Sequence, residues 1–307
     1  MKLDTNLLSE GAFIQEGSIS KTNTMMLACT IGDIDYDDAV SELVLNTGAE
    51  SLRLRVQNEY FVSVDHTEKG DAFVMGEHGT VIRFNWKDAT SIETLKSSRH
   101  LYPNPLAADT GPMRRLRIAG DVALCVGSFG QVYQVAATEI QPLKFLEIYS
   151  EPVTIKEIAG RSPSDFIAVT QHGLAARFDG ENWVDLQLPT NLKLTGVTLF
   201  DRESYAVVGS GGNLFLGRGD IWHHHRNEAL PRDYYSVAEL DGLFYLSHIA
   251  GVDVFDGSTF SEITYDDKAL LEFAFMTRGK NSVWAFSGST IGEIASKAWT
   301  THLRRSG

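Results

Sequence analysis

The run Gly173-Leu-Ala-Ala-Arg-Phe-Asp-Gly-Glu-Asn-Trp-Val-Asp-Leu-Gln-Leu188 decides the fold. It reads as a strand, a tight turn at Asp179-Gly180-Glu181-Asn182, and a second strand opening on Trp183. Asp-Gly between apolar runs signals a turn for two physical reasons. The Asp side chain bonds the backbone ahead of it, and Gly accepts a positive φ without strain.

The phrase recurs along the chain. With its first glycine as anchor, Gly130, Gly173, Gly212 and Gly251 stand 43, 39 and 39 residues apart. Gly79 precedes Gly130 by 51 residues, and Ser289 follows Gly251 by 38. Past the anchors come Ile140, Trp183, Trp222, Phe260 and Trp299, with a weaker Ala89 and Ile92 after Gly79. Each anchor is preceded by an apolar run, at 72–75, 122–126, 166–169, 205–208, 243–246 and 283–286. A still earlier run, at 60–64, 116–118, 153–158, 194–200, 235–240 and 271–276, completes four strands per copy. Four short strands at a period of about 40 residues make a β-propeller blade.

Six copies follow residue 57, and the first 56 residues supply strand candidates at 12–15, 24–31, 41–45 and 51–56. The expected fold is therefore all-β: a single β-propeller domain, 1–307, of seven four-stranded blades. Their approximate limits are 1–56, 57–95, 114–150, 151–190, 191–230, 231–265 and 266–307. Six blades with an N-terminal extension is the alternative. Ring closure is expected because one blade cannot bury both faces of its sheet and closure removes exposed edges. Helical periodicity is nearly absent. The extra residues between Gly79 and Gly130 fall at 96–113, which holds Pro103, Pro105 and Pro112 and is expected as a long inter-blade loop.

Composition narrows the function. The chain has 307 residues, 27 Lys plus Arg against 40 Asp plus Glu, and a net charge of −13. Such a surface repels nucleic-acid phosphates and anionic membranes and favours a basic protein partner. Cys29 and Cys125 lie in apolar runs and suggest no disulfide framework, which points to a reducing compartment. The first ten residues carry early acids and no continuous apolar core, so no secretory signal is read there. No apolar run approaches the roughly 20 residues of a membrane-spanning helix. A soluble cytoplasmic protein, monomeric outside its complex, is expected.

In a propeller, second-to-third strand turns and blade-to-blade connections share one face. That face is expected to carry Glu77-His78, Ser128-Phe129, Gln171-His172, Ser210-Gly211 and His248-Ile249. Asp33, Asp35, Asp37 and Asp38 join it from the first blade, and Asp266 and Asp267 from the connection into the last. Residues 22–52 contain six acids and 233–267 contain eight, and neither stretch has a Lys or Arg. Like charge concentrated in this way speeds capture of an oppositely charged partner. The candidate partner-binding set is Asp33, Asp35, Asp37, Asp38, Glu77, His78, His100, Leu101, Tyr102, Phe129, His172, His248, Asp266 and Asp267. His100, Leu101 and Tyr102 enter because the long loop could serve as a partner arm.

No catalytic, metal or cofactor set emerges. Asp33-x-Asp35-x-Asp37 begins like a calcium loop, but position six is Asp38 rather than Gly and position twelve is Val44 rather than Glu. His223-His224-His225 alternates across a strand and lacks a neighbouring Cys or acid, so it reads as an exposed outer strand. Trp183, Trp222 and Trp299 repeat at one position and read as blade packing.

Phe178-Asp179-Gly180-Glu181-Asn182-Trp183 and Phe255-Asp256-Gly257-Ser258-Thr259-Phe260 resemble a loose group of bacterial propellers with a Gly…Asp-Gly-x-x-Trp phrase. The phrase is similar to the sialidase Asp-box but lacks its Ser, and Asp179 stands four residues before Trp183 rather than five. No sialidase active site is carried over. The chain has neither a Gly-His nor a Trp-Asp dipeptide, which excludes the WD40 pattern. Propellers of this group include scaffolds, lyases, glycosidases and immunity proteins for bacterial toxins. The last class resembles this chain in being acidic and without a shared catalytic motif. The resemblance implies a non-enzymatic protein that neutralises a basic toxin or effector domain, in its sharpest form a nuclease. The alternatives are a carbohydrate-active glycosidase or lyase, which needs paired carboxylates, and a general assembly scaffold.

Overall fold

A computed structural model describes residues 3, 6–32, 40–102, 110–145, 153–264 and 275–304. The fold is an all-β, seven-bladed propeller, each blade a sheet of four consecutive antiparallel strands. The first sheet is β1 (Ala12–Ile19), β2 (Met25–Ile31), β3 (Val40–Asn46) and β4 (Ser51–Gln57). The second is β5 (Phe61–His66), β6 (Asp71–Gly76), β7 (Val81–Asn85) and β8 (His100–Tyr102), with helix α1 (Ile92–Ser98) before β8. The third is β9 (Met113–Ala119), β10 (Val122–Gly127), β11 (Gln131–Val135) and β12 (Ile140–Lys144). The fourth is β13 (Ile155–Ser162), β14 (Asp165–Thr170), β15 (Ala175–Phe178) and β16 (Trp183–Asp185). The fifth is β17 (Leu194–Leu199), β18 (Ser204–Gly209), β19 (Asn213–Arg218) and β20 (Ile221–Arg226). The sixth is β21 (Tyr234–Leu240), β22 (Leu243–His248), β23 (Gly251–Phe255) and β24 (Phe260–Glu262). The seventh is β25 (Phe275–Arg278), β26 (Val283–Ser287), β27 (Thr290–Ala295) and β28 (Ala298–Arg304).

The chain forms two compact units, Met1–Leu116 with Phe275–Gly307, and Arg117–Ala274. In the first, the N-terminal sheet packs on the C-terminal one. Leu7, Ile14, Met25 and Leu27 meet Trp284, Phe286 and Ile291 in one buried cluster. A Cβ on Gly17 would come within 2.5 Å of the Phe286 ring, so the residue facing that ring must be glycine. A second cluster joins Met26, Leu43 and Leu54 of sheet one to Phe61, Val74 and Ile82 of sheet two. In the other unit, three clusters repeat the arrangement, joining sheet three to four, four to five, and five to six. Each fully buried large apolar side chain contributes roughly 1.5–3 kcal/mol, which offsets ordering of the short strands.

The repeat has a backbone cause. The anchor glycines Gly79, Gly130, Gly173 and Gly212 all have left-handed φ, at 89°, 71°, 81° and 77°. A second device recurs on the first strand of five sheets. Pairing with the next strand skips one residue at Gln15, Val62, Lys156, Thr195 and Tyr235. Such a bulge increases local twist and re-aims the side chains around it.

The tryptophans pack as expected. Trp183 sits against Phe145, Phe166 and Phe178, with ring centroids 4.6, 5.3 and 5.4 Å away. The Asp-Gly turns are also structural. Asp179 Oδ1 accepts from the backbone N–H groups of Glu181 and Asn182, at 3.0 and 2.8 Å. Asp256 Oδ1 does the same for Ser258 and Thr259, at 2.9 and 2.8 Å.

The long loop expected over 96–113 is corrected over 96–102, and its residues 103–109 lie outside the described residues. Lys96 lies in the last turn of α1, which is capped by Ser91, whose side chain accepts from Thr94 N–H at 3.1 Å while Thr94 Oγ1 accepts from Ser91 N–H at 2.8 Å. His100–Tyr102 is the outer strand of sheet two, beyond the expected blade limit of 95. Ala89 stands where the other copies carry a large apolar residue nine or ten residues past the anchor, so α1 displaces the outer strand without a sequence signal.

Candidate protein-docking face

In the unit Arg117–Ala274, four exposed apolar side chains lie in turns and connections on one edge of the sheets, while Val184 and Ile221 are exposed on outer strands. Phe129 is 60% exposed, Leu192 43%, Leu230 45% and Ile249 51%. Phe129 and Ile249 lie in second-to-third strand turns, and Leu192 and Leu230 lie in sheet-to-sheet connections.

Backbone hydrogen bonds tie these turns and connections together. Gly130 N–H donates to Val153 O at 2.7 Å, and Gly212 N–H to Arg232 O at 2.6 Å. Ser210 N–H donates to Lys193 O at 2.9 Å. Each turn is thus fastened to the segment entering a first strand, which fixes the side chains that project from both. Leu192 rests on Gly211, where a Cβ would meet Leu192 Cδ1 at 3.2 Å. Gly211 N–H also donates to Asp233 Oδ1 at 2.9 Å. Exposed apolar side chains held on such turns are candidates for a docking surface.

Beneath Ile249 and Leu230 lies a buried polar network. The Asp253 carboxylate accepts from Tyr234 Oη at 2.8 Å and Asn227 Nδ2 at 3.2 Å through Oδ2. Through Oδ1 it faces Arg232 Nη1 and His248 Nε2, both at 3.3 Å. Ala250 N–H donates to His248 Nδ1 at 3.1 Å, and His248 Nε2 lies 2.7 Å from Arg232 Nη1 as well as 3.3 Å from Asp253 Oδ1. Burial by itself would raise the Asp253 pKa. Hydrogen bonds from His248 and Tyr234, with the charges of His248 and Arg232, outweigh it and hold the carboxyl below its ordinary range. Burial, and then the Asp253 charge, push the Tyr234 hydroxyl upward. The network therefore makes the turn after β22 rigid rather than reactive.

The structure sorts the expected site residues. Asp33, Asp35, Asp37, Asp38, Asp266 and Asp267 lie outside the described residues. Phe129, His172, His78 and His100 are exposed. Leu101 is in β8, and its side chain is outside the description. Three residues expected on the surface are buried: His248 at 0%, Tyr102 at 4% and Glu77 at 8% exposed. His248 is held by Asp253, Glu77 by Arg114 at 3.1 Å, and Tyr102 packs against the His100 ring at 4.4 Å. None of the three presents the surface expected of it. Leu192 and Leu230 were missed because they sit in connections that the repeat register leaves unmarked.

The base-free acidic stretches also read differently in three dimensions. Arg55 lies just past the first stretch, and register places it opposite Glu42, which it meets at 3.2 Å. Arg232 lies just before the second stretch and faces both Asp253 and Glu262 at 3.3 Å. Glu239 accepts from Gly242 N–H at 2.8 Å, so several of these acids are spent inside the fold.

Among the described residues, no group of three or more His, Cys, Asp or Glu is placed to hold a metal ion. No described helix is long and apolar enough to cross a membrane. His224 stacks on Phe215 at 4.6 Å and bonds Asn213 Oδ1 at 2.7 Å, while His225 packs on Phe255 from the other face.

No protein-family model matches this sequence. Immune protein Tsi7 of Pseudomonas aeruginosa is 24% identical over 197 residues, 62% of this chain and 64% of that protein. The match thus spans under two thirds of that relative's length. Among solved structures, YCF48 bound to D1 peptide is 13% identical with a TM-score of 0.64, over 100% of this chain and 96% of that one. The WD40 propeller domain of Doa1 is 12% identical with a TM-score of 0.65, over 92% and 91%. A catalytically inactive virginiamycin B lyase from Staphylococcus aureus is 11% identical with a TM-score of 0.70, over 100% and 99%. These three structures establish likeness of fold.

Proposed function

We propose that this chain is a non-enzymatic protein-binding propeller. In its sharpest form it binds and neutralises an antibacterial toxin of basic surface, through the turn edge of Arg117–Ala274. The observation that carries this reading is the exposed set Phe129, Leu192, Leu230 and Ile249, with the Phe129 turn and the connections bearing Leu192 and Leu230 tied by backbone hydrogen bonds and the Ile249 turn by His248. The similarity to an immune protein and the net charge of −13 support the choice of partner. A glycosidase reading requires paired carboxylates, and four buried acids among the described residues are paired otherwise. Buried Glu42, Glu77, Glu157 and Asp253 each face an arginine rather than a second acid.

The test is co-purification with the toxin encoded beside this gene, followed by titration of the pair. Phe129→Ala combined with Ile249→Ala is expected to weaken binding by about a hundredfold, the range for anchors at an interface centre. A partner that binds the double variant as tightly as the parent chain overturns the assignment of this edge. Absence of any toxin partner, with turnover of a small substrate instead, overturns the reading itself.

A further inference from the structure

A cleft of about 340 Å³ in the unit formed by Met1–Leu116 and Phe275–Gly307 is lined by Ser9, Glu42, Arg53, Arg55, Ile92 and Lys96. Three cations and one acid meet there in a chain whose net charge is −13. Antiparallel alternation places Arg53 and Arg55 on the same face of β4, opposite the buried Leu54. α1 brings Lys96 and Ile92 to them.

The acid is already committed. Glu42 is 1% exposed and accepts from Ser9 Oγ at 2.6 Å, Ser9 N–H at 3.3 Å and Arg55 Nε at 3.2 Å. Ser9 Oγ spends its proton on Glu42 and receives Arg55 Nη2 at 2.7 Å and Arg53 Nη1 at 3.5 Å. The guanidinium of Arg55 is therefore held in place from beneath, with its side chain 59% exposed. Arg53 reaches Ser9 Oγ at 3.5 Å, and Lys96 lies three residues after Glu93 on α1, whose carboxylate it attracts. Three cations thus share a cleft whose one lining acid is already committed to Ser9 and Arg55.

We propose that this cleft binds a small ligand carrying a phosphoryl group. Guanidinium forks match the oxygens of a phosphoryl group in pairs, and an ammonium adds a point charge. The dianion would face Arg53, Arg55 and Lys96 together, in a cleft whose one lining acid is Glu42. The cleft exceeds the needs of a bare phosphate, and Ile92 gives the body of a phosphate ester an apolar wall. This site is separate from the docking edge, so it stands or falls independently of the toxin-binding reading.

Calorimetric titration of the whole chain at low salt, with inorganic phosphate, ribose 5-phosphate and citrate, tests it. Ribose 5-phosphate is expected to bind more tightly than inorganic phosphate, and added salt is expected to weaken both. Arg53→Gln and Lys96→Gln each remove one charge-assisted contact and should weaken binding by about tenfold. Both residues are exposed, so both variants should unfold at the parent temperature, and Lys280→Gln should bind as the parent does. No binding of either phosphate at millimolar concentration overturns the proposal, as does binding that neither substitution weakens. Citrate binding in place of the phosphates assigns the cleft to carboxylates and overturns the phosphoryl assignment.

Discussion

Phe129 occupies the left-handed backbone position that Gly211 occupies two sheets later. Ser128-Phe129-Gly130 and Ser210-Gly211-Gly212 form the same short 3₁₀ turn, with φ of 57° at Phe129 and 74° at Gly211. An L-residue with a bulky side chain is strained there, by about 1 kcal/mol or more, and this one is also 60% exposed. Phe129→Gly is therefore expected to raise stability by about 1 kcal/mol while weakening partner binding. Thermal unfolding and titration of the complex would read the two effects apart. A loss of stability, or binding left intact, would count against a role for Phe129 in docking.

Asp253 predicts how the second unit responds to acid. Its carboxyl is held below the ordinary value of 3.8 in the folded state, so the unfolded chain takes up its proton first as pH falls. The stability it contributes is present above that ordinary value and is lost as pH falls through the depressed one. Asp253→Asn leaves Arg232 and His248 facing a neutral amide and should cost about 3 kcal/mol near neutrality. Urea unfolding at stepped pH should show a shallower acid decline for the variant than for the parent. Parallel profiles would show that Asp253 carries no such linkage.

Gly217 pairs with Trp222 across β19 and β20, and a Cβ on Gly217 would come within 2.2 Å of the indole. Gly217→Ala is expected to destabilise by about 2 kcal/mol, the usual cost of overpacking. Adding Trp222→Leu should recover part of that loss, because the same ring causes both effects. Additive losses in the double variant would place the cost in the backbone instead.

Glu59 behaves oppositely to Asp253. It is 4% exposed, and burial raises its pKa against the lowering effect of hydrogen bonds from Thr80 and Tyr60 and of the His78 charge. A raised folded-state value means its stability contribution is present below the ordinary 4.5 and is lost as pH rises through the folded value. Glu59→Gln keeps an acceptor oxygen for Tyr60 N–H and removes the buried charge. Denaturant unfolding should find the variant more stable than the parent near neutral pH and no more stable in acid. A variant equally stabilised at both would contradict the assignment.

The blade count was legible because most copies share local chemistry. Four anchor glycines take a left-handed φ, Asp179 and Asp256 close their turns, and Trp183, Trp222, Phe260 and Trp299 open outer strands. The first blade lacks the phrase, yet its four strand candidates stand, since alternation and apolar runs alone define them. Helix α1 and strand β8 were not legible, because Ala89 stands where the other copies carry a large apolar residue. Phe129 and His172 are exposed as their place in a turn leads one to expect, whereas His248 is buried. One position in a turn can point outward or inward, and the Asp253 partner decides which.

The sequence by itself determined the period, the turns and the seven-blade architecture, because these depend on interactions within about 40 residues of chain. Only the tertiary structure decided which charges are free. Arg55 meets Glu42, and Arg232 meets Asp253 and Glu262, because antiparallel register carries a residue across to a partner that a linear window excludes. The acidic stretches are thereby partly neutralised, and a cationic cleft emerges at Arg53 and Lys96 where the count of charges along the chain shows none.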